Sequence, residues 1–178
     1  MTMTKTSFSI KKLVMAAVCL ALGLYLPFLT GQIPQVGSML LPMHLPVMLC
    51  GFVCGGPLGL VVGAITPILR STLFGMPPMY PTAAAMAFEL AAYGFLTGFL
   101  SAKLGHSLKS IYIALVAAML GGRIVWGIAM AVMMTSSGGA FTFAAFIAGG
   151  FTGAVPGIIL QLVAIPAIVA ALHKSKLI

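Results

Sequence analysis

Residues 65–94, "ITPILRSTLFGMPPMYPTAAAMAFELAAYG", decide how this chain is read. Two apolar runs flank a proline-rich turn. The second run carries Glu89, the one acidic side chain in 178 residues, and Arg70 closes the first. An ionisable group at the middle of a membrane helix costs about 2.5–3.5 kcal/mol on insertion scales. A chain that keeps a single acid in such a place keeps it for a specific contact. The wider composition identifies the solvent. The chain is 61 % hydrophobic and 6 % charged, with a mean hydropathy of +1.20, whereas about 25 % of residues in soluble domains are charged. Nine basic and one acidic side chains cannot coat a soluble core of this size. The pattern is that of an all-α integral membrane protein. The short alternating segments of a transmembrane β-barrel do not occur in it.

The net charge of +8 is read by position. Lys5, Lys11 and Lys12 precede the first apolar run, Lys103 and Lys109 share a connector, and Lys174 and Lys176 close the chain. These are flanks of apolar spans, where Lys and Arg set orientation. No basic stripe interleaved with aromatics is present, which excludes nucleic acid as the partner. Cys19, Cys50 and Cys54 all fall in apolar segments. Their odd count argues against a disulfide framework, and with no acidic ligand nearby they read as small packing residues. No metal or cofactor is expected.

Six apolar runs are expected as helices of one domain spanning residues 1–178, at about 13–29, 43–54, 58–74, 82–101, 110–134 and 143–172. A basic N-terminus raises the question of a signal peptide, but the first run is longer than an h-region and no small-x-small site follows. About 20 apolar residues cross a bilayer, and shorter spans survive by tilt or burial. Six crossings with a cytoplasmic N-terminus place all seven lysines in inner segments. Five or seven crossings would put the tail lysines outside. Proline fixes φ and removes a donor, so "TGQIPQVGSMLLPMHLP" and "FGMPPMYP" read as stiff outer lids. "TSSGGAFT" reads as a mobile one.

Glu89 in the fourth run and Arg123 in the fifth come to similar depth in antiparallel neighbours. Two readings stand side by side: a pocket in which both charges contact a polar ligand, or a buried ion pair that only pins the helices, and such pairs stabilise weakly. Met86, Glu89 and Tyr93 share one helix face at i, i+3, i+7, as do Arg123, Trp126 and Met130. Trp126, the only Trp, lies too deep for the interfacial belt, and its ring suits stacking on a flat heterocycle. Packing between helices is the plainer account of the aromatics. In the sixth run Gly149, Gly153 and Gly157 recur every four residues, a ladder for close helix approach, with Gln161 one turn on. His44 in "LPMHLP" stands where the second run begins, as a ligand contact or a structural histidine. Tyr80 in the proline-rich loop joins the candidates. Arg70 either snorkels to headgroups, anchors that loop or faces an anionic ligand. No catalytic set is visible: there is no Asp, no His–Glu metal spacing and no Ser–His elbow. One carboxylate is too few for a proton relay, and no interrupted helix pairs suggest an inverted-repeat carrier. Binding without an energy source of its own remains.

Nearly the whole chain resembles the substrate-binding S components of energy-coupling factor (ECF) vitamin transporters. The stretches "LPMHLPVMLCGFVCGGPLGLVVGAITPILRS" and "MPPMYPTAAAMAFELAAYG" carry the likeness, with the size and six-run pattern. The family's first helix has an A-x-x-x-A element that packs on the coupling subunit, and Ala17 and Ala21 have that spacing here. The resemblance implies a non-enzymatic subunit in the cell membrane with both termini cytoplasmic. Its partners would be one transmembrane coupling subunit and two ATP-binding subunits. Its vitamin would sit between the outer halves of the last three helices, and the loaded subunit would topple to release it. The fragment "FGMPPMYPTAAAMAFELA" looks most like members assigned to pyridoxine or hydroxymethylpyrimidine. Pantothenate is the rival, because Arg70 and Arg123 would welcome its carboxylate. Functions of another class are an autonomous carrier and a purely structural membrane subunit.

Overall fold

The computed structural model describes residues 9–29, 33–105 and 107–175. Lys5, Lys176 and residues 30–32 of the first expected outer loop lie outside the described residues. Among those described the fold is helical and contains no strand. Helix α1 covers Ile10–Leu29, α2 Pro34–Leu40, α3 His44–Cys54 and α4 Gly56–Phe74. A π-turn at Met79–Ala83 then leads into α5, Ala84–Leu104. Helix α6 is Leu108–Ser136, α7 Phe143–Gly150 and α8 Val155–Lys174.

Five helical segments are long and apolar enough to cross a membrane: Ile10–Leu29, Gly56–Phe74, Met79–Leu104, Leu108–Ser136 and Phe143–Lys174. Helix α3, at 11 residues, rises only about 16 Å, half the roughly 30 Å of a hydrocarbon core. It is nonetheless walled in, with nine of its residues buried. The chain descends through α3, turns at Gly55 (φ 97°), and ascends through α4.

A seam of glycines holds α4 against α5. Gly59 on α4 faces Gly94 on α5, Gly63 faces the Leu90 carbonyl, and Gly98 faces Gly56, so closely that a β-carbon at any of these α4 positions would crowd or overlap backbone. Gly51 brings α3 onto the same seam, against the Gly94 carbonyl. In lipid, helices associate by packing and not by expelling water, so small residues that let backbones meet set the crossing. The Thr97 hydroxyl donates to the Tyr93 carbonyl at 2.8 Å and the Thr66 hydroxyl to the Val62 carbonyl at 2.6 Å. Both buried hydroxyls are thereby satisfied within their own helices.

Two stretches differ from expectation. The lid before His44 contains a helix, α2, opened by Pro34 at its start and ended by Leu41 in the left-handed region (φ 51°). The 143–172 run is not one helix. It breaks at Phe151 (φ −126°, ψ −65°), passes through a 3-10 turn at Thr152–Ala154 and resumes as α8. Pro156 explains the break: it has no N–H to donate, and its ring clashes with the carbonyl four residues back. It suits the first turn of a new helix instead. The glycine ladder is therefore split among three elements. Gly149 packs on Trp126, Gly153 lies near the Ala148 carbonyl, and Gly157 lets α8 approach the Met39–Leu40 backbone of α2.

Antiparallel α4, α5 and α6 sort the helix ends. The described lysines, Lys11, Lys12, Lys103, Lys109 and Lys174, stand at one end of the bundle. His44, Arg70, Glu89 and Trp126 stand toward the other.

Candidate functional site

A cavity of about 530 Å³ opens at the end away from the lysines. Its walls come from the last turns of α1 and α4, from α2 and the turn after it, from the first half of α5, the second half of α6, and α7. Pro27, Met43, Pro77, Pro78 and Met86 give it an apolar lining, into which four side chains with chemistry intrude: His44, Arg70, Glu89 and Arg123. Trp126 forms part of the wall. A mostly apolar hollow of a few hundred Å³ with few convergent polar groups is the ordinary form of a small-molecule site.

Glu89 is the hub. Its Oε1 accepts from Arg123 Nη1 at 2.7 Å and from the Tyr93 hydroxyl at 3.2 Å, and His44 Nε2 stands 3.5 Å away. Glu89 and His44 are 1 % exposed and Arg123 5 %. The i, i+3, i+7 spacing of Met86, Glu89 and Tyr93, and of Arg123, Trp126 and Met130, sets only a shared helix face; the antiparallel α5–α6 packing brings the two charges together. The two charges form an ion pair, and both side chains line the hollow. Neither ring nitrogen of His44 has a hydrogen-bond partner among the described residues. Its ring lies 5.4 Å from that of Tyr93, tilted 60°.

Arg70 is 2 % exposed, so it does not snorkel. Its Nη1 donates to the Leu24 carbonyl of α1 at 2.7 Å, three residues before the Pro27 inside that helix. Its guanidinium carbon lies 4.8 Å from the Phe28 ring centre and 5.4 Å from that of Phe74. Trp126 meets Phe141 edge-on at 5.7 Å and stacks with Phe146 at 6.2 Å. The absent side chain of Gly149 leaves room for the indole.

The remaining candidates stand outside the lining. Tyr93 backs the cavity through its bond to Glu89. Met130, a turn above Trp126, is half-buried. Gln161 is buried on α8, its Nε2 without a partner among the described residues. Tyr80 is exposed, and its hydroxyl ties the proline-rich turn to the end of α6. It donates to the Met133 carbonyl at 2.6 Å and lies 3.1 Å from Ser136 Oγ and 3.0 Å from Ser137 Oγ. Ala17 and Ala21 are exposed on α1, on one face with the exposed Val14 and Val18. Sequence reading passed over Leu41, Met43 and Thr82, which line the cavity. Only the left-handed turn at Leu41 brings the first two there, and a bulky residue in that conformation has no signature in spacing.

No cluster of three or more metal-ligating side chains occurs among the described residues. Comparison with curated proteins gives no match, and none is found among solved structures. A family model does match, over residues 11–172. By that match, which takes in every helix described above, the chain belongs to the family of ECF transporter substrate-specific components.

Proposed function

We propose that this chain captures a small B vitamin in the cavity around Glu89 and presents it to an ECF module of one transmembrane coupling subunit and two ATP-binding subunits. The observation that carries the reading is the buried Arg123–Glu89–His44 group at the edge of an apolar hollow. Charges in lipid are costly and mark ligand pathways. An imidazole beside them, with no hydrogen bond among the described residues, offers a donor or acceptor to a guest. Family membership supports the S-component role. Six crossings are supported by α3 acting as a short, sheltered second span. A cytoplasmic placement of both termini is supported by the described lysines at one end of the bundle. The exposed Ala17 and Ala21 suit contact with the coupling subunit.

For the vitamin, we favour a flat hydroxylated nitrogen heterocycle of the pyridoxine or hydroxymethylpyrimidine kind. Trp126 would cover its ring, and Glu89 and His44 would bond its nitrogen or hydroxyl groups. One observation favours pantothenate as a second reading: Arg70 brings a second cation to the wall. Native mass spectrometry of the purified protein tests the proposal. A retained vitamin is the expected result, and no uptake should occur when the chain is reconstituted alone in liposomes. Gradient-driven uptake by the chain alone would make it an autonomous carrier and overturn the S-component mechanism. Absence of binding to any B vitamin would overturn the capture role.

A further inference from the structure

We propose that Arg70 receives an anionic oxygen group, a carboxylate or a phosphate, on the molecule that fills the cavity. This rests on the reading of the cavity as a ligand site.

The argument begins with charge. The chain has one acidic side chain, and Arg123 holds it at 2.7 Å. Arg70 therefore has no second carboxylate side chain to pair with, wherever the helices move. Yet its side chain is as buried as that of Glu89 and lines the same hollow. Its protein contacts orient the guanidinium without neutralising it. The Leu24 carbonyl accepts one hydrogen bond, and the rings of Phe28 and Phe74 offer their faces. A guanidinium has five N–H donors in a fixed fork, a shape that fits carboxylate and phosphate oxygens two at a time. A desolvated, oriented cation with donors to spare among the described residues and no acidic side chain left to pair with is half of an ion pair. Around the cavity Arg123 and Glu89 cancel, and Arg70 leaves the wall one positive charge in excess. The missing half has two sources, a soluble acid or the phosphate of an anionic lipid headgroup.

The test uses the full chain in detergent, with the fluorescence of Trp126 as the binding signal. Matched probes differ in the anionic group: pantothenate against panthenol, and pyridoxal 5′-phosphate against pyridoxal. In parallel, native mass spectrometry compares retention of phosphatidylglycerol with phosphatidylcholine. If the anion is soluble, the acid of at least one pair binds tenfold or more tightly than its neutral partner. Arg70→Gln abolishes that preference and Arg70→Lys keeps part of it. If the anion is a lipid, phosphatidylglycerol is retained by the native chain and by Arg70→Lys but lost from Arg70→Gln. Either result supports the proposal, and the Lys variant carries the test if Arg70→Gln does not fold. No preference for acid or for anionic lipid in the native chain overturns it, as does a preference that Arg70→Gln leaves intact. The two readings fail separately. A neutral vitamin bound equally by native chain and Arg70→Gln, with no anion preference, removes the anion site and keeps the vitamin cavity. Retained phosphatidylglycerol with no vitamin bound does the reverse.

Discussion

The guanidinium of Arg123 on α6 donates to the carboxylate of Glu89 on α5 at 2.7 Å, both side chains almost wholly buried. Removing one member strands the other without compensation, which typically costs about 3–5 kcal/mol. Glu89→Gln and Arg123→Gln should each lower the unfolding temperature in detergent sharply. The double variant should lose much less than the sum of the two, the mark of direct coupling. Additive losses would show that the pair contributes little as a pair.

His44 invites the opposite expectation. A buried polar group without a hydrogen bond is a cost to the fold, and an apolar ring of similar size in its place carries no such cost. His44→Phe should leave the unfolding temperature unchanged or raised. Vitamin affinity, followed by Trp126 fluorescence, should fall by about tenfold, the equivalent of about 1.4 kcal/mol. A loss of stability with affinity intact would make His44 a structural residue.

At the α4–α5 seam, Gly59→Val or Gly94→Val should prevent accumulation of folded protein, because the added side chain meets backbone that cannot step aside. Gly37→Ala on α2 meets nothing within 4 Å, and Ala favours helix over Gly by about 1 kcal/mol. That variant should fold at least as well as the native chain. Size-exclusion profiles of the purified variants separate the two outcomes.

Tyr80→Phe removes the hydroxyl that ties the proline-rich turn to Met133, Ser136 and Ser137. The turn supplies Met76, Pro77 and Pro78 to the cavity wall. Loosening it should speed vitamin release several-fold in stopped-flow measurements while the helices remain folded. An unchanged release rate would show that the turn does not gate the cavity.

Composition alone was enough to read the helical membrane class, because a chain with one acid and nine bases has few other solvents open to it. Depth along antiparallel runs was enough to bring Glu89 near Arg123. Helix-face spacing was not enough to decide which residues a cavity exposes. Tyr93 shares a face with Glu89, yet its side chain is enclosed behind the carboxylate, since spacing says nothing of what the neighbouring helix covers. The break before α8 lay hidden for a related reason. Pro156 within an apolar run reads equally as a kink or a restart, and the flanking glycines looked like a continuous packing face. Helix α2, at seven residues, is too short for its periodicity to be seen.

The glycine seam has a mechanical consequence. An interface made of backbone on backbone has no rotamers to exchange, so it transmits a push instead of absorbing it. Any tilt imposed on α4 at the lysine-bearing end must carry α5 along as one lever. The carboxylate near the far end of α5 would then swing with it, and a coupling partner could reshape the cavity without touching it.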